Sequence, residues 1–257
     1  MPMTAPAGRT PEGRPAHAAP AALSLSATAA SRAGPRHRQN EDAHAVVAEA
    51  GLFAVCDGIG GLCDGAVASR VVAELLQRAV PPGAALDIRV AEAREALARA
   101  NAALFQAGEE TRRPMGATVV LAIVGEACAV CLWAGDSRAY LMRAGALLQL
   151  TQDHAVLGRP HADAPPRMVV TRAIGPDAAV DIDCAIVDLR PGDCLLLCSD
   201  GVSGTVPAAR IEALLAATPA AGAQELVAEA VARGTRDDAT AVVVRVHPAE
   251  ASHVAPR

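Results

Sequence analysis

Acidic residues recur in this sequence at points where an apolar run meets a turn. These positions are Glu41 and Asp42, Asp57, Asp136, Asp200, and the pair Asp237 and Asp238. Each alone is typical of a turn, since Asp is common in turn sequences. Carboxylates that converged at one end of a sheet would repel one another unless cations lay between them. Because oxygen ligands favour hard ions, the hypothesis is a magnesium or manganese site.

Seven short apolar runs rich in Val, Leu and Cys are predicted to be the strands that position these acids. The runs cover residues 51–58, 117–125, 127–136, 137–145, 181–189, 193–201 and 239–246. Gly125 and Gly145 lie in connections too short for a parallel crossover, so the strands that they join are predicted to be antiparallel.

Helical periodicity predicts two pairs of helices. They cover residues 64–80 and 88–107, and residues 207–217 and 222–233. Paired helices and antiparallel strands indicate a layered α+β fold and not a parallel nucleotide-binding sheet.

Composition excludes several classes of partner. The 257 residues carry a net charge of -5, so no general basic surface for nucleic acid is expected. Aromatic residues make up 2% of the chain, too few for base-stacking platforms. No apolar stretch predicts a membrane span, and the weakly hydrophobic N-terminus argues against a secretory signal. A cytoplasmic location without membrane binding is therefore expected.

The seven cysteines are predicted to be reduced thiols, most of them in the core. Cys128 and Cys131 form a CxxC pair, but no second pair or nearby His completes a zinc site. If their run is a strand, these two side chains point to opposite faces.

Eight motifs, in order along the chain, resemble the metal-dependent serine/threonine protein phosphatases of the 2C type. They are NEDA (40–43), VCDGIGG (55–61), GATVV (116–120), WAGDSRAYL (133–141), LTQDHA (150–155), VTRAIG (170–175), LLCSDGV (196–202) and TRDDATAVVV (235–244). The resemblance implies an α+β fold in which an antiparallel β-sandwich of two sheets is flanked by helix pairs, in four layers (α-β-β-α). The expected organisation is a disordered tail over residues 1–22, a phosphatase domain over 23–247 and a C-terminal tail over 248–257.

The resemblance also assigns ligands for two ions, Mn²⁺ or Mg²⁺. It implies that Asp57 bridges them, with Glu41 and the Gly58 carbonyl on one ion and Asp200 and Asp237 on the other. A water between the two cations would attack phosphorus directly, without a phospho-enzyme.

Three further positions follow from the same resemblance. Asp136 matches the ligand of a weaker third ion, and Asp42 would orient the attacking water. Asp238 stands where the family usually has Asn, which adds a charge beside the last ligand.

Phosphate capture departs from the family pattern, which has Arg four residues before Glu41. His37 occupies that place, with Arg36 and Arg38 on either side. Arg binds phosphate in a bidentate manner and His does not. A bulged loop that presents Arg36 is favoured over weaker binding at His37, and the remaining alternative is that all three are solvated surface residues.

A second departure lies between His154 and Thr171, which only sixteen residues separate. Many bacterial relatives carry a longer helical flap there, whereas this Pro- and Ala-rich interval predicts a short loop and open access. His154 itself is predicted to be a structural hydrogen-bonding residue.

The first hypothesis is therefore an enzyme that hydrolyses phosphoserine and phosphothreonine in proteins. Its expected partner is a phosphorylated protein, a bacterial Ser/Thr kinase or a target of that kinase, and it is expected to be a monomer. One alternative is a catalytically weak pseudophosphatase that binds phosphoproteins, favoured only by the missing Arg at position 37. Another is a structural metal-binding domain without hydrolysis.

Overall fold

The protein was analysed as a computed structural model, which describes residues 23–35, 39–59, 64–158, 168–217 and 222–249. The predicted N-terminal tail and the end of the C-terminal tail lie outside the described residues. None of the helices in these ranges is long and apolar enough to cross a membrane.

Twelve strands and five helices make up the described part of the chain. The strands are β1 (Leu23–Arg32), β2 (Asp42–Val47), β3 (Leu52–Gly58), β4 (Ala117–Val124), β5 (Cys128–Ala134), β6 (Arg138–Arg143), β7 (Ala146–Gln149), β8 (Ala155–Leu157), β9 (Met168–Val170), β10 (Asp183–Asp188), β11 (Cys194–Cys198) and β12 (Ala239–Pro248). The helices are α1 (Gly65–Ala79), α2 (Leu86–Thr111), α3 (Asp200–Ser203), α4 (Ala208–Ala217) and α5 (Gly222–Ala232).

Ten of the twelve strands form two five-stranded antiparallel sheets that pack face to face. One sheet has the order β10-β5-β4-β3-β2, and the other has the order β1-β12-β11-β6-β7. Helices α1 and α2 cover the outer face of the first sheet, and α4 and α5 cover the outer face of the second. The predicted four-layer α+β sandwich is confirmed.

Burial on both faces explains why the strands read as continuous apolar runs. All eight residues of β4 are buried. Val119 and Leu121 belong to the core beneath the helices, whereas Val120 and Ala122 belong to the core between the sheets. A strand enclosed on both faces has no polar face to alternate with its apolar one.

The CxxC pair behaves as predicted. Cys131 packs between the sheets, while Val130 and Leu132 pack under the helices. Cys128, two residues before Val130, therefore lies on the face opposite to Cys131. The cysteines in the described ranges form no disulfide.

The prediction of a plain loop between His154 and Thr171 is wrong in part. Strands β8 and β9 pair there as a small antiparallel sheet. The triplets Ala155–Leu157 and Met168–Val170 are apolar and rich in Val, which suits strands, but the Pro and Ala content of the whole interval concealed them. Residues 159–167 lie outside the described part of the chain.

Candidate active site

The predicted acids lie at one end of the sandwich and come from both sheets. Asp42 begins β2 and Asp57 lies near the end of β3, and the two are direct cross-strand partners. Asp136 follows β5 in the same sheet. From the other sheet, Asp200 follows β11 by two residues and Asp237 precedes β12 by two residues. Antiparallel pairing places the end of one strand beside the start of its neighbour, so the acids of each sheet lie at the same end of its strands.

Burial and mutual repulsion both raise pKa values of the carboxyl groups in this cluster. Burial, followed by the charges of Asp42, Asp200, Asp136 and Asp237, raises the pKa of Asp57 well above its usual value. The pKa of Asp200 is raised to about 6 by burial and by Asp136 and Asp237, although a hydrogen bond with Asp57 opposes the shift. Each named cause of the Asp57 shift raises the pKa, which disfavours the charged form of Asp57.

Two glycines allow Glu41 to reach this cluster. The N–H of Gly58 donates to the Glu41 carbonyl at 3.0 Å. A Cβ at Gly58 would collide with the Gly65 carbonyl, and one at Gly65 would lie 2.9 Å from Glu41 Oε2. The Glu41 carboxylate therefore lies against the first turn of α1, where backbone N–H groups favour negative charge.

Asp42 is held from behind by a serine. Ser199 Oγ donates to Asp42 Oδ2 at 2.8 Å and accepts the N–H of Thr240 at 3.0 Å. Asp42 Oδ1 is buried and accepts no hydrogen bond from the described residues. Burial raises the pKa of Asp42 to about 7, assisted by the charges of Asp238 and Asp200 and opposed by the hydroxyl groups. A buried, unfilled acceptor fits the predicted role of orienting a water.

The turn that carries Asp136 is fixed by close packing and by His154. Gly135 has φ +119°, and a Cβ there would collide with Thr118. The Gly135 N–H donates to His154 Nδ1 at 3.2 Å, and Nε2 lies 3.1 Å from Asp183 Oδ2 and 3.2 Å from Arg172 Nη1. The His154 ring also stacks on Trp133. These contacts agree with the predicted structural role of His154.

The two candidates for phosphate capture, Arg36 and His37, lie outside the described residues. Their roles therefore stay predictions.

The donor set fits divalent cations by its chemistry. In the described ranges, no three His, Cys, Asp or Glu side chains already form a group that could hold a metal ion. The carboxylates nevertheless lie close enough to raise one another's pKa. Hard divalent cations bind carboxylate and carbonyl oxygens and would relieve this repulsion.

The family model described as Protein phosphatase 2C matches residues 33–240. The chain belongs to the protein phosphatase 2C family. The serine/threonine phosphatase stp of Listeria innocua is 32% identical over 180 residues, which cover 64% of this chain and 71% of that protein.

Two solved structures share the fold of this phosphatase. PppA, described as a key regulatory component of T6SS in Pseudomonas aeruginosa, superposes with a TM-score of 0.80 at 33% identity and covers 88% of this chain and 99% of its own. The catalytic domain of the serine/threonine protein phosphatase PstP, in complex with two manganese ions, has a TM-score of 0.74 at 30% identity. It covers 88% of this chain and 99% of its own.

These similarities identify a protein-serine/threonine phosphatase of a family that uses divalent metals. Substrates of such enzymes are phosphoproteins. The phosphoprotein-binding alternative without turnover is not favoured, because the related proteins are named as phosphatases.

Hydroxyl groups lie behind the acids and were not among the predicted site residues. Ser199 supports Asp42, and a hydrogen bond of 2.7 Å joins the buried Thr118 and Ser137 beside the Asp136 turn. Ser199 and Ser137 are each adjacent in sequence to one of the acids. A Ser directly next to an acid at a strand end is the sequence pattern that could have predicted them.

Proposed function

We propose that this phosphatase hydrolyses phosphoserine and phosphothreonine in proteins by direct attack of water, with two divalent cations at the acidic cluster. Glu41, Asp57 and the Gly58 carbonyl would hold one ion, and Asp57, Asp200 and Asp237 the other. Mn²⁺ and Mg²⁺ both suit these oxygen donors. When bound, such ions neutralise charge on the phosphoryl oxygens and activate water.

The single observation that carries the proposal is the electrostatic state of Asp57. Four other carboxylates from separate chain segments raise its pKa at one end of the sandwich. A binding surface for phosphate would be expected to present positive charge, whereas this site is acidic and requires cations before a phosphate can approach.

Asp136 would contribute to a third ion, and Asp42 would orient the attacking water. Asp42 Oδ1 is the acceptor available for a proton of that water, since Oδ2 is already engaged by Ser199. Arg36 or His37 would contact the substrate phosphate, with Arg36 favoured for its bidentate geometry.

The neighbouring thiols are poor nucleophiles, which supports attack by water. Burial raises the pKa of Cys198 to about 12 and raises that of Cys56 as well. Because the thiolate is the reactive form, neither cysteine is suited to form a phosphocysteine.

The physiological substrate is proposed to be a bacterial Ser/Thr kinase or one of its targets. The functions of the named relatives support a phosphoprotein substrate.

The test is hydrolysis of a phosphothreonine peptide and of p-nitrophenyl phosphate with Mn²⁺, Mg²⁺ or excess chelator. Asp57→Asn should reduce Mn²⁺-dependent turnover by more than about a hundredfold, because even residues behind metal ligands contribute about 10–100-fold. Asp188→Asn removes the same charge from an exposed position at the far end of β10 and should leave turnover unchanged. Metal-independent turnover, or full activity of Asp57→Asn, would contradict the proposal.

A further inference from the structure

Asp238 sits where three parts of the candidate site meet. Its side chain is 2% exposed. A Cβ at Gly34 would collide with the Asp237 carbonyl, and one at Gly201 would collide with the Asp238 carbonyl. The Asp237 carbonyl therefore packs against the segment leading to Glu41, and the Asp238 carbonyl packs against the turn that follows Asp200.

The Asp238 carboxylate accepts a backbone hydrogen bond on each of its oxygens. The Gly34 N–H donates to Oδ1 at 2.7 Å, and the Glu41 N–H donates to Oδ2 at 2.7 Å. One side chain thus binds both ends of the segment over residues 34–41. That segment ends in Glu41 and includes Arg36 and His37 in its sequence.

An asparagine could not make this pair of contacts. Its side chain has one acceptor oxygen, and its NH₂ group would face the second N–H, donor against donor. Hydrogen bonds from backbone N–H groups to a carboxylate are also stronger than those to a neutral amide. Both contacts therefore require the two acceptor oxygens of a carboxylate at position 238.

We propose that Asp238 is a positioning residue of this phosphatase, which ties the backbones of Gly34 and Glu41 together so that Glu41 is held at the acidic cluster. The inference rests on the proposed role of Glu41 as a metal ligand. Asp238 acts on Glu41 through these backbone contacts.

The decisive variant is Asp238→Asn, which keeps the shape of the side chain and removes one acceptor. It should weaken Mn²⁺ binding by about tenfold in a calorimetric titration and raise the Mn²⁺ concentration for half-maximal activity by a similar factor. The kcat at saturating Mn²⁺ should change little. Asp238→Ala, which removes both acceptors, should weaken Mn²⁺ binding further, and Asp188→Asn provides the control for charge alone.

A double-mutant cycle tests whether Asp238 acts through Glu41. If it does, Asp238→Asn should add little to the loss of Mn²⁺ affinity already caused by Glu41→Gln. Additive losses would overturn the inference, as would a fall in kcat with unchanged Mn²⁺ dependence, because a general structural defect reduces only the active fraction. Failure of the wild type to show Mn²⁺-dependent turnover would instead contradict the proposed function, so the two failures are distinguishable.

Discussion

At the scale of single residues, the site consists of carboxylates at the front and hydroxyl groups behind them. Ser199 joins the two sheets, since it donates to Asp42 at the start of β2 and accepts from Thr240 in β12. Hydrogen bonds from hydroxyl groups lower the pKa of Asp42 against the effect of its burial. Ser199 therefore favours the charged form of Asp42 and fixes the direction in which Oδ1 points.

Loss of the Ser199 hydroxyl should weaken catalysis measurably. We expect Ser199→Ala to lower kcat/KM by about tenfold or more, since a hydrogen bond to a charged group contributes about 1.5–3 kcal/mol. The measurement is steady-state hydrolysis of a phosphothreonine peptide at saturating Mn²⁺. Ser203→Ala is the matched control, because Ser203 Oγ donates to the Ser199 carbonyl at 3.4 Å and makes no hydrogen bond to an acidic side chain of the described residues. Equal activity of the two variants would show that the Asp42 contact is dispensable.

At the scale of elements, the site depends on how closely strand ends and helix starts approach. The end of β3 and the first residue of α1 meet at Gly58 and Gly65, and the Glu41 carboxylate lies beside them. No side chain larger than hydrogen fits at Gly58 without moving α1 away from the sheet. The glycines therefore set the distance between Glu41 and Asp57.

Gly58→Ala should damage the site more than the fold. The added methyl group would push the Gly65 carbonyl and α1 outward, so we expect Mn²⁺-dependent turnover to fall by more than about tenfold. Gly83→Ala is the control, because Gly83 has φ +75° and open space around it. That change should cost about 1–2 kcal/mol of unfolding free energy through backbone strain and leave turnover intact. Thermal melts and peptide hydrolysis distinguish the two effects.

The elements differed in how well their sequences predicted them. The strands β4, β5 and β11 are buried on both faces, so unbroken apolar runs marked them clearly. Strand β1 was not predicted, although Leu and Ser alternate at its start, because it lies at a sheet edge with small residues and a weak apolar signal. Edge strands of this kind take much of their stability from pairing with a distant strand, here β12, which local sequence does not reveal.

The same limit applied to the site. The positions of the acids at strand ends suggested that several of them converge, and the resemblance to the 2C-type phosphatases implied which ones. The two contacts of Asp238 span about two hundred residues along the chain, and that of Ser199 spans more than one hundred and fifty. Long-range hydrogen bonds of this kind follow from tertiary packing, so local sequence patterns did not predict them.

At the scale of the whole molecule, the fold brings together a cluster of acids that destabilises the folded protein. The chain carries a net charge of -5, and several of its acids gather at one end of the sandwich. The pKa of Asp42 is about 7 and that of Asp200 about 6 in the folded protein, against an ordinary value of 3.8. At a pH between 3.8 and these raised pKa values, the two carboxyl groups therefore hold protons in the folded chain that they have released in the unfolded chain.

This difference predicts how stability depends on pH and on metal. In the presence of chelator, the unfolding free energy should fall as pH rises from about 5 to about 7.5, because the unfolded state holds fewer protons over that range. Mn²⁺ should reverse the loss, since a cation that binds only the folded state stabilises it by mass action. Urea unfolding at the two pH values, with chelator or Mn²⁺, measures both effects.

The Asp57→Asn variant tests whether the acidic cluster causes the change of unfolding free energy with pH. It removes a carboxyl group whose own pKa is raised well above its usual value by burial and by neighbouring charges, so the variant should lose less stability between the two pH values than the wild type. The half-buried His44, whose pKa is lowered by burial, contributes a slope of the opposite sign in both proteins. The difference between the two slopes therefore reports the carboxylates alone. Parallel slopes would mean that their repulsion has no effect on folding.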